Sequence, residues 1–281
     1  MTAQCLACAG ALRPWGARLG YTYKACAACG SLQQDPMPTP EAIERLYRHE
    51  YVEAGGFNLD TATLHGPVYA RILDVLGAPR PGLVVDYGCG WGGLCQLLAD
   101  HHHEYVGVDF SETEIASCRE RLLNCRTGDL RTLAGEGVAA HTVVAVFVFE
   151  HLLDYGAFFR QCDQLLGPGG QILLVIPTSP LVRILGRLWR LLKPGADMPQ
   201  FGECISPPWH TVIFSPAGLR RLAQANGYEV ARVLPCPKYP GATPLVNGIK
   251  RALAWTERAG LRLCGERWPV MTANLFVLRK A

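Results

Sequence analysis

Val84-Val85-Asp86-Tyr87-Gly88-Cys89-Gly90-Trp91-Gly92-Gly93 is the stretch whose reading decides the fold. Leu83 to Asp86 is a short, apolar, β-branched run, and Leu94-Cys95-Gln96-Leu97-Leu98 follows it at helical spacing. The pattern predicts a buried strand, a glycine turn and a helix. Glycines at such a junction let the backbone turn sharply and approach a ligand, with the free N–H groups of the helix start nearby. Asp109 ends the next predicted strand, Glu104 to Asp109, 19 residues after Gly90, where a carboxylate suits ribose hydroxyls. These features alone fit an NAD-dependent oxidoreductase equally well. Asp86, two residues before the first glycine, separates the readings.

Outward from this turn, strand and helix alternate. Ser111-Glu112-Thr113-Glu114 opens a helix with a capping-box pattern. Thr142 to Val148 suits a central strand, Phe158 to Leu166 a helix, Pro168-Gly169-Gly170 a turn and Gln171 to Ile176 another buried strand. Ser215-Pro216 starts a helix reaching Ala225, Tyr228 to Val233 is a strand, and Ala273 to Leu278 closes the chain. The alternation predicts a parallel sheet with right-handed crossovers. Upstream, Thr39-Pro40-Glu41 opens a helix with Ile43, Leu46 and Tyr47 on one face, Gly55-Gly56 ends that segment, and a second helix covers Pro67 to Leu76. Leu181 to Leu192, with Arg183, Arg187 and Arg190 on one face, and Leu245 to Cys264 are amphipathic helices expected to cover a pocket.

The cysteines mark a separate module. Cys5-x2-Cys8, a 17-residue gap and Cys26-x2-Cys29 fit a four-thiolate zinc site built from two knuckles. Four protein ligands complete the tetrahedron zinc prefers, so the ion is expected to be structural. Redox or disulfide chemistry is the alternative. The other eight of the 12 cysteines are scattered and read mostly as small core residues in a reducing compartment.

Composition sets the remaining bounds. The 281 residues are 49% hydrophobic and 18% charged, an ordinary globular balance. A net charge of +3, without a dense Lys/Arg face, argues against a nucleic-acid partner. No apolar run reaches the roughly 18 residues of a membrane span, and Met1-Thr2-Ala3-Gln4-Cys5 does not resemble a signal peptide. A cytoplasmic location is expected.

With Asp86 included, the glycine turn resembles the Asp/Glu-x-Gly-x-Gly-x-Gly signature of class I S-adenosylmethionine-dependent methyltransferases. That cofactor carries a cationic sulfonium and an α-amino group rather than a pyrophosphate, and an acid before the loop suits it. Val106-Gly107-Val108-Asp109-Phe110-Ser111 resembles the ribose-binding strand end, and Thr127-Gly128-Asp129-Leu130 the segment whose acid reaches the adenine amino group. Phe147-Val148-Phe149-Glu150-His151-Leu152 resembles the stretch beside the methyl group, and Leu165 to Ile172 the Leu-x-Pro-Gly-Gly turn. The resemblance implies cofactor contacts from Asp86, Gly88, Cys89, Gly90, Asp109, Phe110, Asp129, Leu130 and Phe147. The cysteine module, Asp35 to Pro40, Tyr47 and Tyr51 extend the resemblance to bacterial methyltransferases with an N-terminal zinc ribbon.

The fold expected is α/β: a doubly wound, mostly parallel, seven-stranded Rossmann-like sheet with a small zinc ribbon and a helical lid. Its parts are a ribbon at 1–34, a linker and helix at 35–66, and a methyltransferase domain at 67–281. That domain carries a lid insertion at about 178–212 and the helix at 245–264. Glu150-His151 resembles a step of the ubiquinone O-methyltransferase branch, and His210 precedes the Phe-Ser that opens the next helix, so both histidines are candidate catalytic residues. A capping or packing role is the alternative for each. Phe147 stands where that branch's metal-binding enzymes carry a further Glu, which argues against a catechol-type metal site. Arg183 or Arg187 would pair with an acid on the acceptor, and His101-His102-His103 reads as solvated surface. The function expected is methylation, at oxygen, of a small and partly apolar acceptor. An RNA methyltransferase gripping RNA with its ribbon is the alternative, and the sequence leaves oligomeric state open.

Overall fold

The computed structural model describes residues 4–45, 65–201, 204–238 and 243–281. Leu46, Tyr47, Tyr51 and Gly55-Gly56 lie outside them. Two sheets organise the chain. The first is four-stranded and antiparallel, in the order β1 (Leu12–Arg18), β2 (Tyr21–Cys26), β3 (Leu32–Gln34) and β9 (Val212–Ile213). The second is seven-stranded, in the order β10-β11-β8-β7-β4-β5-β6. Its strands are β4 (Leu83–Tyr87), β5 (Tyr105–Asp109), β6 (Cys125–Thr127), β7 (Ala140–Val146), β8 (Leu166–Pro177), β10 (Tyr228–Pro235) and β11 (Ala273–Lys280). Only β11 runs antiparallel to its neighbours.

The helices are α1 (Pro40–Arg45), α2 (Gly66–Leu76), α3 (Gly93–Asp100), α4 (Glu112–Glu120), α5 (Leu130–Gly135), α6 (Tyr155–Leu165), α7 (Ser179–Leu192), α8 (Pro216–Ala225) and α9 (Pro244–Cys264). Their starts follow local chemistry. Ser111, Asp129, Asp154, Ser215 and Thr243 each accept a backbone N–H of the first turn. Ile172 to Ile176 are wholly buried, as a central strand covered on both faces requires. In α2, Val68, Ile72 and Leu76 form one buried stripe, and Gly77 at φ 73° ends it.

Four details depart from expectation. Pro168-Gly169-Gly170 is a bulge inside β8, where pairing with β7 jumps from Ala140–Leu166 to Thr142–Gln171 and Gly169 takes φ 73°. β7 stops at Val146, because Phe147 adopts φ 55° and turns the chain into a short 3-10 segment, Phe149–His151. His103 is buried, whereas His101 and His102 are exposed as expected. Arg183 lies against Gly30 of the second cysteine knuckle, where the helix packs on the ribbon. Gly186 of the same helix faces the Trp15 ring so closely that a side-chain carbon there would overlap it.

β9 ties the ribbon to the larger sheet. Leu32 pairs with Ile213 and Gln33 with Val212, and Phe214 bridges to Thr178 just beyond β8. Ser215 Oγ donates to the Cys29 carbonyl at 2.6 Å, and Ser179 Oγ to the Gly30 carbonyl at 2.8 Å. Among the described residues no helix is long and apolar enough to cross a membrane.

Candidate active site

The glycine turn leaves β4 at its carboxyl end, where ligands of such sheets bind. Gly88, Gly90 and Gly92 have φ of 71°, 49° and 73°, a region costly for a residue with a Cβ. The turn is pinned to β5: the Gly88 and Cys89 amides donate to the Val108 carbonyl at 2.8 and 3.1 Å. Asp109 closes the link. Its Oδ2 accepts the Gly90 amide and its Oδ1 the Ser111 amide, each at 3.0 Å. An ionised carboxylate retains further lone pairs after those two bonds, so ribose hydroxyls remain within its capacity.

Asp86, Asp109 and Glu114 are all buried around this turn, and among the described residues none makes a salt bridge. Burial pushes Asp86 up to about 7, with Cys125 adding to it, although the Cys95 thiol donates to Asp86 Oδ2 at 3.4 Å. Burial, then the charge of Asp109, lifts Glu114 to about 7. Burial also raises Asp109. Buried acids without a basic partner are costly unless a cation arrives, and a sulfonium with an ammonium group is such a cation.

The other expected cofactor residues divide. Asp129 is exposed and caps α5, its Oδ1 accepting the Thr132 amide at 2.8 Å. The preceding Gly128 amide donates to the Asp109 carbonyl at 2.9 Å, which brings Asp129 close to the end of β5. Phe110 is 61% exposed at the end of β5. Phe147 meets His65 edge-on at a centroid separation of 5.3 Å. The Leu130 side chain is fully buried in the core, leaving its main-chain groups for a ligand. Sequence reading missed His65, Tyr69 and Glu114. Tyr69 packs against Gly93 so closely that a Cβ there would sit 2.7 Å from its ring. Tyr69 lies on the helical face of α2, but no short-range pattern ties that helix to the turn.

The structure brings the two candidate catalytic histidines, His151 and His210, together, with ring centroids 5.0 Å apart. Glu150 joins them: its carboxylate and the two imidazoles have donor atoms all within 4.8 Å of one another. Burial holds His210 down to about 4 and drives His151 well below its ordinary value, so both are neutral bases near neutrality. Glu150 is wholly buried with neither oxygen hydrogen-bonded, and burial raises it to about 8. The loops carrying the pair are stitched by the Thr211 amide donating to the Glu150 carbonyl at 2.9 Å. His210 Nδ1 lies 2.9 Å from the Cys204 carbonyl. The ribbon buttresses this loop directly: Tyr23 Oη and Gln34 Nε2 donate to the His210 carbonyl at 3.1 and 3.2 Å.

The four N-terminal cysteines converge as their spacing predicts. Cys5 and Cys29 sulfurs stand 3.7 Å apart and those of Cys8 and Cys26 3.5 Å, against about 3.8 Å along the edge of a zinc–thiolate tetrahedron with 2.3 Å bonds. The donor set and its dimensions fit zinc. Arg183, half-buried beside the second knuckle, supplies positive charge to a site whose four thiolates outweigh a divalent ion.

Residues 64–233, more than half of the chain, match the methyltransferase-domain family. The chain is 32% identical over 153 residues to a probable S-adenosylmethionine-dependent methyltransferase of Mycolicibacterium smegmatis, covering 54% of this chain and 53% of that one. It is 31% identical over 143 residues to a ubiquinone biosynthesis O-methyltransferase of Mesorhizobium japonicum, covering 46% and 56%. The chain thus spans about half the length of these curated relatives. In fold it is similar to the Burkholderia thailandensis 1,6-didemethyltoxoflavin-N1-methyltransferase, solved with S-adenosylhomocysteine. That match has a TM-score of 0.56 at 15% identity, over 96% of this chain and 99% of that one. A Pyrococcus horikoshii protein matches at TM-score 0.51 and 19% identity, over 80% and 92%. The signature from Asp86 to Gly93, the strand order and these matches agree, and the chain belongs to the class I S-adenosylmethionine-dependent methyltransferases.

Proposed function

We propose that the chain methylates a hydroxyl of a small, partly apolar acceptor, with His151 and His210 as the catalytic pair. The observation that carries this reading is the meeting of two neutral imidazoles with the buried Glu150 beside the glycine turn. Val148, in the same loop, packs against Gly88. S-adenosylmethionine, when bound, supplies a methyl carbon already activated by its sulfonium. The protein must then hold the acceptor oxygen in line and receive its proton. A neutral imidazole within hydrogen-bond reach can accept that proton, with the Glu150 carboxyl close to both rings. Asp86, Gly88, Cys89, Gly90, Asp109, Phe110, Asp129 and Phe147, with the main chain of Leu130, form the cofactor cradle. Ubiquinone biosynthesis O-methyltransferases among the relatives support oxygen as the acceptor atom.

In the same reading, residues 1–34 are a ribbon holding structural zinc on Cys5, Cys8, Cys26 and Cys29, and 35–66 is a linker. Residues 67–281 are the catalytic domain. Its segment 178–212 and the helix over 245–264 close the acceptor side, while the 178–212 segment also braces the ribbon. Much of α9 is exposed and apolar, with Trp255 71% accessible, which suits a wall for an apolar acceptor. A panel of phenolic and saccharide hydroxyl compounds, assayed for labelled methyl transfer, tests the reading. His151→Ala and His210→Ala should each lower kcat by about 100-fold or more, the usual worth of a general base, without weakening cofactor binding. Undiminished turnover in both variants would refute the catalytic pair.

A further inference from the structure

Eight cysteines lie outside the ribbon, and four of them meet in space. Cys89 comes from the glycine turn, Cys95 from α3, Cys118 from α4 and Cys125 from β6. All four are buried, walled by Ile115 and Leu123. The sulfurs of Cys89, Cys95 and Cys125 lie within 4.8 Å of one another. A carbon built on Gly107 would sit 2.7, 2.8 and 2.9 Å from the sulfurs of Cys95, Cys125 and Cys89. The three sulfurs therefore crowd one face of Gly107, where a side chain would collide with all of them. Cys118 packs in the same buried cluster.

We propose that Cys89, Cys95 and Cys125 form a second thiolate site, which takes one soft, thiolate-seeking metal ion behind the glycine turn. Small apolar packing explains single buried cysteines, not three whose sulfurs converge. All-sulfur donor sets select monovalent copper or zinc over harder ions. Metal–thiolate bonds of about 2.3 Å require the sulfurs to close on the ion by roughly 0.5 Å, a movement within side-chain reach. Each ligated thiol gives up its proton to solvent as the metal–sulfur bond forms.

The site touches the cofactor cradle. Cys118 Sγ donates to the Gly90 carbonyl at 3.4 Å, while the Gly90 amide donates to Asp109. Ligation draws Cys89, itself a turn residue, inward beside this bond. An occupied metal site therefore loosens the turn and opposes cofactor binding, and by reciprocity the cofactor opposes the metal.

Cadmium titration of the full chain, read by thiolate-to-metal charge-transfer absorption and native mass, tests the proposal. The wild type should take up one equivalent more than Cys95→Ala/Cys125→Ala. A Cys5→Ser/Cys8→Ser chain should retain that equivalent, which separates this site from the ribbon. Cys125→Ser keeps the thiol's volume and replaces the double variant if the latter does not fold. Loaded protein should bind S-adenosylmethionine about tenfold more weakly than the unloaded chain. Competition of zinc and of monovalent copper against cadmium reads which ion the site prefers. Equal cadmium stoichiometry in the wild type and the Cys95/Cys125 variants would overturn the site, and unchanged cofactor affinity on loading would overturn its coupling.

Discussion

The glycine turn and the histidine pair sit at the same edge of the sheet but are assembled by contacts of different reach. Gly90 is fixed by Asp109 across 19 residues, the span of one strand–helix unit. The His210 carbonyl is fixed by Tyr23 across 187 residues and by Gln34 across 176. The cofactor side is thus a property of consecutive loops on one sheet, whereas the acceptor side depends on the ribbon remaining folded. Cofactor binding and catalysis should therefore be separable by mutation.

The strongest way to break that separation is to remove the ribbon's metal. With the proposed zinc on the four thiolates, Cys26→Ser withdraws one ligand, and with it the fold of β1 to β3, because structural zinc supplies much of a small module's stability. Methyl transfer should fall below detection while calorimetry still records S-adenosylmethionine binding. Simultaneous loss of both would show that the halves are one unit. The reverse experiment is Asp109→Ala, which leaves the histidine pair intact but frees the Gly90 and Ser111 amides. At about 1.5–3 kcal/mol for each charge-assisted bond, cofactor affinity should drop by about 100-fold or more, with the circular-dichroism spectrum unchanged.

A smaller effect sharpens the electrostatics. Asp86 and Glu114 are raised to about 7 by burial, above the roughly 4 of an unfolded carboxyl. Between those values the folded apo-protein binds more protons than the unfolded chain, so these groups cost stability as pH rises from about 4 toward 7. A cationic cofactor favours their ionised forms and offsets that cost. Its affinity should be about tenfold higher at pH 8 than at pH 6, with a larger cofactor-induced rise in Tm at pH 8. Flat affinity across that range would mean that neither acid changes its protonation when the cofactor binds.

Legibility in the sequence follows the same division. The strand–turn–helix at Leu83 to Asp100, the ribose-side acid and most helix starts could be read because their determinants are local: glycine φ, capping side chains and apolar period. The CxxC pairs were equally legible, since a knuckle is a short-range motif. The early end of β7 was hidden because Phe147 carries no local sign of a positive φ. The buried state of Glu150, the packing of Arg183 on the ribbon and the grouping of Cys89, Cys95, Cys118 and Cys125 escaped notice for one reason. Each is made by elements far apart in the chain whose juxtaposition no periodicity records. The two-residue strand Val212–Ile213 merged into the apolar run that ends at Phe214, so its pairing with Leu32 and Gln33 had no signature. The oxidoreductase alternative, left open by the glycines alone, falls to the family match over residues 64–233.

The β3–β9 pairing bears on how this protein can be cut. A chain begun near His65, at the start of the family match, would strip Leu32 and Gln33 from Val212 and Ile213. The result is an unpaired, wholly apolar edge, a template for association between copies. It would also release His210 from two of its restraints. Such a fragment would retain the cofactor cradle yet aggregate and turn over poorly, so activity work on this protein calls for the ribbon in place.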